Sequence, residues 1–218
     1  MRGDDLVTGL LDGAVADPDA AASDLLSQVF GGYPIDRLRP LLHSGRPEAV
    51  RAGMWVVSEL GERGVDLLDD VAGLLDHSSR YVRFFALDSV LAAADTRHGA
   101  VLTRAAELIG DPDDAVRWKT MHLLARATDT QVTAIGGPVG QRIGALLALP
   151  DADLIARLAD DDRTVRLLAA AAAARRAGAD PAALDAAIAA DDPEVSSFAE
   201  EYDRLTARLR RPRRGTAG

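Results

Sequence analysis

The sequence predicts an all-α fold, an α-solenoid of stacked antiparallel helix pairs, and three observations carry that prediction. A Val-Arg phrase recurs at Val50-Arg51, Val82-Arg83, Val116-Arg117 and Val165-Arg166, each time opening an apolar run after a short polar turn. The first three of these arginines lie 32 and 34 residues apart, a period at which units that cannot bury their own apolar faces stack into an array. Composition agrees. Hydrophobic residues make up 48% of the 218 and aromatics only 4%, and the alanine-rich second half suits helices that approach closely. No stretch competes as a strand.

Taken in order, residues 1–37 read as one or two helices that cap the array. Asp17-Pro18 starts one of them and Gly31-Gly32-Tyr33-Pro34 ends it. Residues 38–60 form the first recognisable pair. Leu74 to Leu87 then matches Leu108 to Met121 position by position, each reading helix, turn, helix. The turns Asp111-Pro112-Asp113-Asp114 and Asp160-Asp161-Asp162 place carboxylates where the next helix leaves N–H groups unpaired. Pro47, Pro112 and Pro193 suit helix starts, where a missing N–H costs nothing. The step to the fourth arginine is 49 residues, so an insertion or an extra helix is expected. The linker Thr128 to Gly140, with Gly136-Gly137-Pro138 inside it, breaks the period and precedes a helix from about Val139 to Leu147. A degenerate fifth copy follows at Asp192-Pro193-Glu194-Val195-Ser196. The solenoid therefore spans 38–203, and 204–218 form a basic tail expected to fray.

This pattern resembles the HEAT and HEAT-like (PBS-lyase-type) repeat family over residues 38–200, most clearly from Leu67 to Arg126. The resemblance implies an armadillo-type superhelix and a scaffold, inhibitor or carrier more readily than an enzyme. It also implies that the turn Asp and the Arg pair across repeats, which makes Arg51, Arg83, Arg117 and Arg166 a structural ladder.

Charge narrows the partners. The six arginines after Asp203 leave the preceding body with 19 of the 25 basic residues against all 34 acids, a net −15. A phosphate backbone requires clustered cations, so the charge disfavours nucleic acid except at the tail. The apolar run Leu167 to Ala174 is too short to span a membrane. Leu6 to Leu11, behind Asp4 and Asp5, is too short for a secretory core, and a cytoplasmic, bacterial, monomeric protein is expected. The bacterial source rests on arginine exceeding lysine 24 to one. The absence of cysteine removes thiolate chemistry, disulfides and cysteine-based zinc sites.

Catalytic patterns are missing. There is no His-Glu-x-x-His and no Gly-x-Ser-x-Gly, and no strand or Gly-Lys-Ser/Thr frames Gly136-Gly137 as a phosphate cradle. The acidic turns lack the glycine and distal glutamate of a calcium loop. His43 and His77 sit in repeat-equivalent turns, facing solvent, without a third ligand. No cofactor, metal or catalytic residue is assigned.

Helical phase supplies the candidate surface. Counting from the Arg as zero, positions −1, +3, +4 and +7 share one face, Val82, Ala86, Leu87 and Val90 in one repeat and Val116, Thr120, Met121 and Leu124 in the next. These are expected in the core, as is Trp55 at +4 of the first copy. Positions +1, +2 and +5 then fall on the concave face as Phe84, Phe85 and Asp88 beside Trp118, Lys119 and His122. Aromatics among a cation, an acid and a histidine are the materials of an interaction hot spot. The reading is a non-catalytic protein-binding module whose partner, given the acidity, suits a basic protein. One alternative is an immunity or antidote protein neutralising a basic toxin. Another is a HEAT-like DNA-repair glycosylase, superficially imitated by Trp118, Asp88 and Arg83 but disfavoured by charge. A metal-dependent hydroxylase of this type requires repeated His-Glu pairs, which the sequence lacks, and a lyase requires a chromophore pocket.

Overall fold

The computed structural model describes residues 2–210, with side chains to 207, and among these every regular element is helical. The α-helices are α1 (Gly3–Asp12), α2 (Pro18–Phe30), α3 (Arg39–Leu42), α4 (Pro47–Ser58), α5 (Leu68–Leu74), α6 (Arg80–Ala93) and α7 (Gly99–Glu107). They continue as α8 (Asp114–Arg126), α9 (Asp129–Ala134), α10 (Gly137–Ala148), α11 (Asp151–Arg157), α12 (Arg163–Arg176), α13 (Ala182–Ile188) and α14 (Pro193–Arg210). Short 3₁₀ turns join several of them.

The helices form two layers. The inner layer runs α2, α4, α6, α8, α12 and α14, each packed on the next, and the outer layer backs it with α1, α3, α5, α7, α10, α11 and α13. Between them lies one continuous apolar core. The phase reading holds at both central repeats: Val82, Ala86, Leu87, Val90, Val116, Thr120, Met121 and Leu124 are all buried. Thr120 satisfies its hydroxyl by donating to the Val116 carbonyl one turn back.

Local chemistry fixes the boundaries. Asp17 caps α2 by accepting from the N–H groups of Asp19 and Ala20, Asp113 caps α8 from Ala115 and Val116, and Asp162 caps α12 from Thr164. Pro18, Pro47 and Pro193 occupy first positions, whereas Pro112 stands in the turn before the Asp113 cap.

Arginines tie the turns together. Arg83, Arg117 and Arg166 each donate from Nη1 to the carbonyl six residues back, at 2.7, 2.6 and 2.7 Å. These bonds satisfy turn carbonyls that lack a helical partner. Each arginine also reaches forward to an acid: Arg83 to both oxygens of Asp111, Arg166 to Asp192, and Arg117 to Glu194. Arg51 makes neither bond. The residue that follows Arg51 in the place of Asp111 is His77, which offers no carboxylate, and Arg51 turns back to Asp19 of α2.

The broken period has a definite structure. The stretch 128–140 contains α9, and α10 then stands in the outer layer between α7 and α12 without an inner partner of its own. Gln131 donates to the Ala94 carbonyl at 2.6 Å and pins α9 to the end of α6. From α12, Arg175 pairs with Asp129, and Arg176 pairs with Asp151 and caps the Leu149 carbonyl. At this end α14 packs on α8 as well as on α12, whose residues Ala169 to Ala174 are all buried.

The end of the solenoid differs from the expected boundary at 203. α14 continues to Arg210 without a break, so 204–210 are helical, and the remainder of the basic tail, 211–218, lies outside the described residues. No helix among the described residues is long and apolar enough to cross a membrane.

Candidate functional site

The six residues assigned to the inner face fall in three places. On α6 and α8, Phe84, Asp88 and Lys119 come together. Lys119 Nζ donates to Asp88 at 2.6 Å and stands over the Phe84 ring, 4.3 Å from its centroid. Lys119 is only 8% exposed. The pair satisfies its own charges, and the cation sits on an aromatic face that solvent barely reaches.

Trp118 and His122 are met by the chain itself. Their rings stack at 5.3 Å, nearly parallel, and α14 lays Phe198 on Trp118 at 6.0 Å and Tyr202 on His122 at 6.3 Å. Phe198 is fully buried. Burial first, then the Lys119 ammonium and Arg126, push the His122 imidazole down to about 4. His122 Nδ1 is buried without a hydrogen-bond partner among the described residues. An uncharged imidazole tolerates that position; an imidazolium would not. At the N-terminal end of the same contact, Glu194 of α14 lies between Arg117 and Arg163. One side of Trp118 still lines a shallow depression of about 530 Å3 with Arg117, Arg163 and Glu194.

Phe85 belongs to a different place. Together with Asp19, Ala22, Ser23, Arg51, Ala52 and Trp55 it lines a cavity of about 240 Å3 between α2, α4 and α6. Trp55 was expected in the core and instead stands half-buried on this face. The reason is Gly53, where a Cβ would come within 2.6 Å of the Leu41 Cβ. Lacking a side chain, Gly53 lets α3 press against position +2 of α4, and the helix turns until Trp55 points to the inner side. In α6 the equivalent position is Phe85. A glycine standing where the other repeats carry bulk was the available sequence signal.

At the mouth of this cavity Arg51 Nη2 donates to Asp19 Oδ1 at 2.7 Å. The Asp19 side chain is 72% exposed and that of Arg51 38%. The buried Arg83–Asp111 pair, at 11% and 4%, shows what the same arginine position does when it is structural.

The remaining sequence candidates are accounted for. His43 is exposed and bonds Asp70 at 2.7 Å. His77 is half-buried rather than solvent-facing, because its Nδ1 accepts from the Ser79 N–H and its carbonyl accepts from Arg83. No group of three metal-ligating side chains occurs among the described residues. The trio Trp118, Asp88 and Arg83 does not face a common groove: Arg83 is held by Asp111, Asp88 by Lys119, and Trp118 lies under Phe198.

No protein-family model and no curated protein matches the sequence. Solved structures do. A designed armadillo repeat protein, YIII(Dq.V1)4CPAF in complex with peptide (KR)4, matches with a TM-score of 0.55 at 16% identity, over 92% of this chain and 97% of its own. A second, YIII(Dq)4CqI, gives 0.53 at 16% identity over 91% and 97%. The archaeal HEAT-like repeats protein from Thermococcus onnurineus NA1 aligns over 96% and 98% at 12% identity, with a TM-score of 0.48. At such identities the likeness is one of fold alone, an α-solenoid similar to that of the designed armadillo repeat proteins.

Proposed function

We propose that this armadillo/HEAT-like solenoid is a non-catalytic interaction module that holds a segment of a protein partner on the open half of its inner face. The observation that carries the reading is the pair of half-buried aromatics, Trp55 and Phe85, lining one accessible cavity between three consecutive inner helices. Large aromatic side chains held at the rim of a preformed cleft are what binding energy concentrates on. Catalysis has no comparable support, since the one strongly shifted imidazole, His122, is enclosed between α8 and α14.

The partner in this reading is basic. The surplus of acids over residues 1–203 attracts a cationic protein and speeds its encounter. The neighbour of like fold that holds (KR)4 fits the same expectation. Neutralising a basic toxin is a narrower form of this function.

Ser23 is exposed on the cavity wall, so Ser23→Trp fills the cavity without entering the core. Capture from the native host's lysate, wild type against Ser23→Trp, is expected to lose a defined partner while the melting temperature stays the same. Identical captured proteins from both forms would overturn the concave-face assignment, and a co-purifying small molecule in place of a protein would overturn the module itself.

A further inference from the structure

α14 is the last helix among the described residues, and opening of a solenoid begins most readily at its ends. Its two halves are held differently. The front is clamped by charge: Glu194 bonds both Arg117 and Arg163, and one turn later the fully buried Phe198 lies on Trp118. The rear is held by Tyr202, whose ring meets that of His122 edge-on at 6.3 Å. Tyr202 is the last buried residue of the helix with a described side chain. Beyond it Asp203, Arg204 and Ala207 are exposed, and Leu205 and Thr206 are half-buried. Arg204 and Thr206 bond within α14 itself, Arg204 to the Glu200 carbonyl and to Glu201, Thr206 to the Tyr202 carbonyl.

The surface on which Tyr202 rests changes character with a proton. A neutral His122 stacks on Trp118 and leaves only Nδ1 unmet, whereas an imidazolium must donate from both ring nitrogens, and Nδ1 has no acceptor among the described residues. The charged groups around it supply no counter-ion. On α8 itself Lys119 and Arg126 are cations and act on the ring as such. On α6, Asp88 is taken by Lys119. On α14, Glu194 is held by the two arginines, Glu201 pairs with Arg204, and Glu200 and Asp203 are exposed. On α12, Arg175 is a cation already paired with Asp129. Water is left to solvate the charge, and it gains access to the ring when Tyr202 moves away.

We propose that His122 and Tyr202 form an acid-sensitive latch: protonation of His122 frees the rear of α14, from Tyr202 onward, while Glu194 and Phe198 keep its front in place. The helix peels back from α8 and uncovers His122 on the inner face. Burial is the first cause that holds the imidazole down at about 4, and α14 supplies part of it, whereas Lys119 and Arg126 stay beside the ring after release. Release therefore restores part of the ordinary proton affinity, and linkage makes the open form about tenfold more populated at pH 5 than at pH 7. Ordinary carboxylates titrate mainly below this interval. The latch does not depend on what the open half of the inner face binds.

Hydrogen exchange of the full chain, with protection corrected for the intrinsic effect of pH on amide exchange, follows the rear of α14 separately from the rest. Local opening is insensitive to low concentrations of denaturant, and global unfolding is not. Protection of the amides of residues 203–207 is expected to fall about tenfold from pH 7 to pH 5 and to ignore low denaturant, while that of α6 responds to it. His122→Phe offers Tyr202 an aromatic ring that cannot charge, so its 203–207 protection should be equal at the two pH values. Tyr202→Ala removes the latch from the other side and should give low protection at both.

Exchange at 203–207 with the protection and denaturant response of α6 would mean that the rear of α14 opens only with the whole protein, and would overturn the latch. Protection at 203–207 that does not change with pH in the wild type would overturn it as well, as would a fall that persists in His122→Phe. Should His122→Phe fail to fold, Tyr202→Ala decides alone, and a pH dependence in it as large as that of the wild type would overturn the latch.

Discussion

Arg51 and Arg117 occupy the same place in their repeats, and each has a tryptophan and a carboxylate beside it, yet one lies at an open cavity and the other beneath a helix. Over α2, α4 and α6 the inner face is accessible. Over α8 and α12 it is covered by α14, which inserts Glu194 between two arginines and Phe198 against Trp118. The difference teaches that the repeat sets the chemistry of a position and the helices packed over it decide who satisfies it. After the surplus outer helix α10, α14 reaches α8 as well as α12, and the chain becomes its own partner. Where the outer layer is regular, the same groups face outward.

The comparison breaks most readily at Phe198. Phe198→Ala is expected to cost about 3–5 kcal/mol, since it empties a fully buried site on which α14 rests. Trp55→Ala, at a half-buried rim, should cost about 1 kcal/mol. Chemical denaturation of the two variants measures both, and similar losses would mean that the two halves are equally covered.

The arginines give the next contrast. Arg83→Ala leaves Asp111 buried and unpaired, a loss of about 3 kcal/mol. Arg51→Ala removes one exposed pair and should change stability by less than about 1 kcal/mol. Equal effects would place Arg51 among the structural arginines.

His122 ties the covered half to pH. Its native pKa of about 4 lies below the unfolded value of 6.5, so between these values the unfolded chain binds a proton that the folded chain refuses. Stability is therefore level above about 6.5 and falls as the pH drops, by about 2 kcal/mol on reaching pH 5, above the range where carboxylates titrate. His122→Phe should flatten that slope, as measured by unfolding at several pH values. A slope that survives in His122→Phe would assign it elsewhere. The smallest effect is expected at Asp19→Asn, whose stability should stay within about 0.5 kcal/mol of wild type.

Much of the fold was legible because it rests on local chemistry: helix phase, capping acids and first-position prolines specify each repeat from within. The Trp55 position was not, because it depends on how closely α3 approaches Gly53, and closeness between helices is not written in either helix alone. The covering of Trp118 and His122 was harder still. Val195, Phe198, Ala199 and Tyr202 do fall at i, i+3, i+4 and i+7, so an apolar stripe on the last helix was visible in the sequence. That it meets α8 as well as α12 was not, because α14 and α8 lie far apart in sequence and nothing in either helix names the other. The Arg position of this last copy is Ser196.

Lys119, finally, is the sole lysine in 218 residues, and its amine is locked against Asp88 and Phe84. In the folded protein, reagents and enzymes that acylate lysine meet no accessible side-chain amine. Unfolding exposes one. Acylation of that amine therefore counts the molecules that have opened, at one label per chain, and the protein carries its own reporter of conformational integrity.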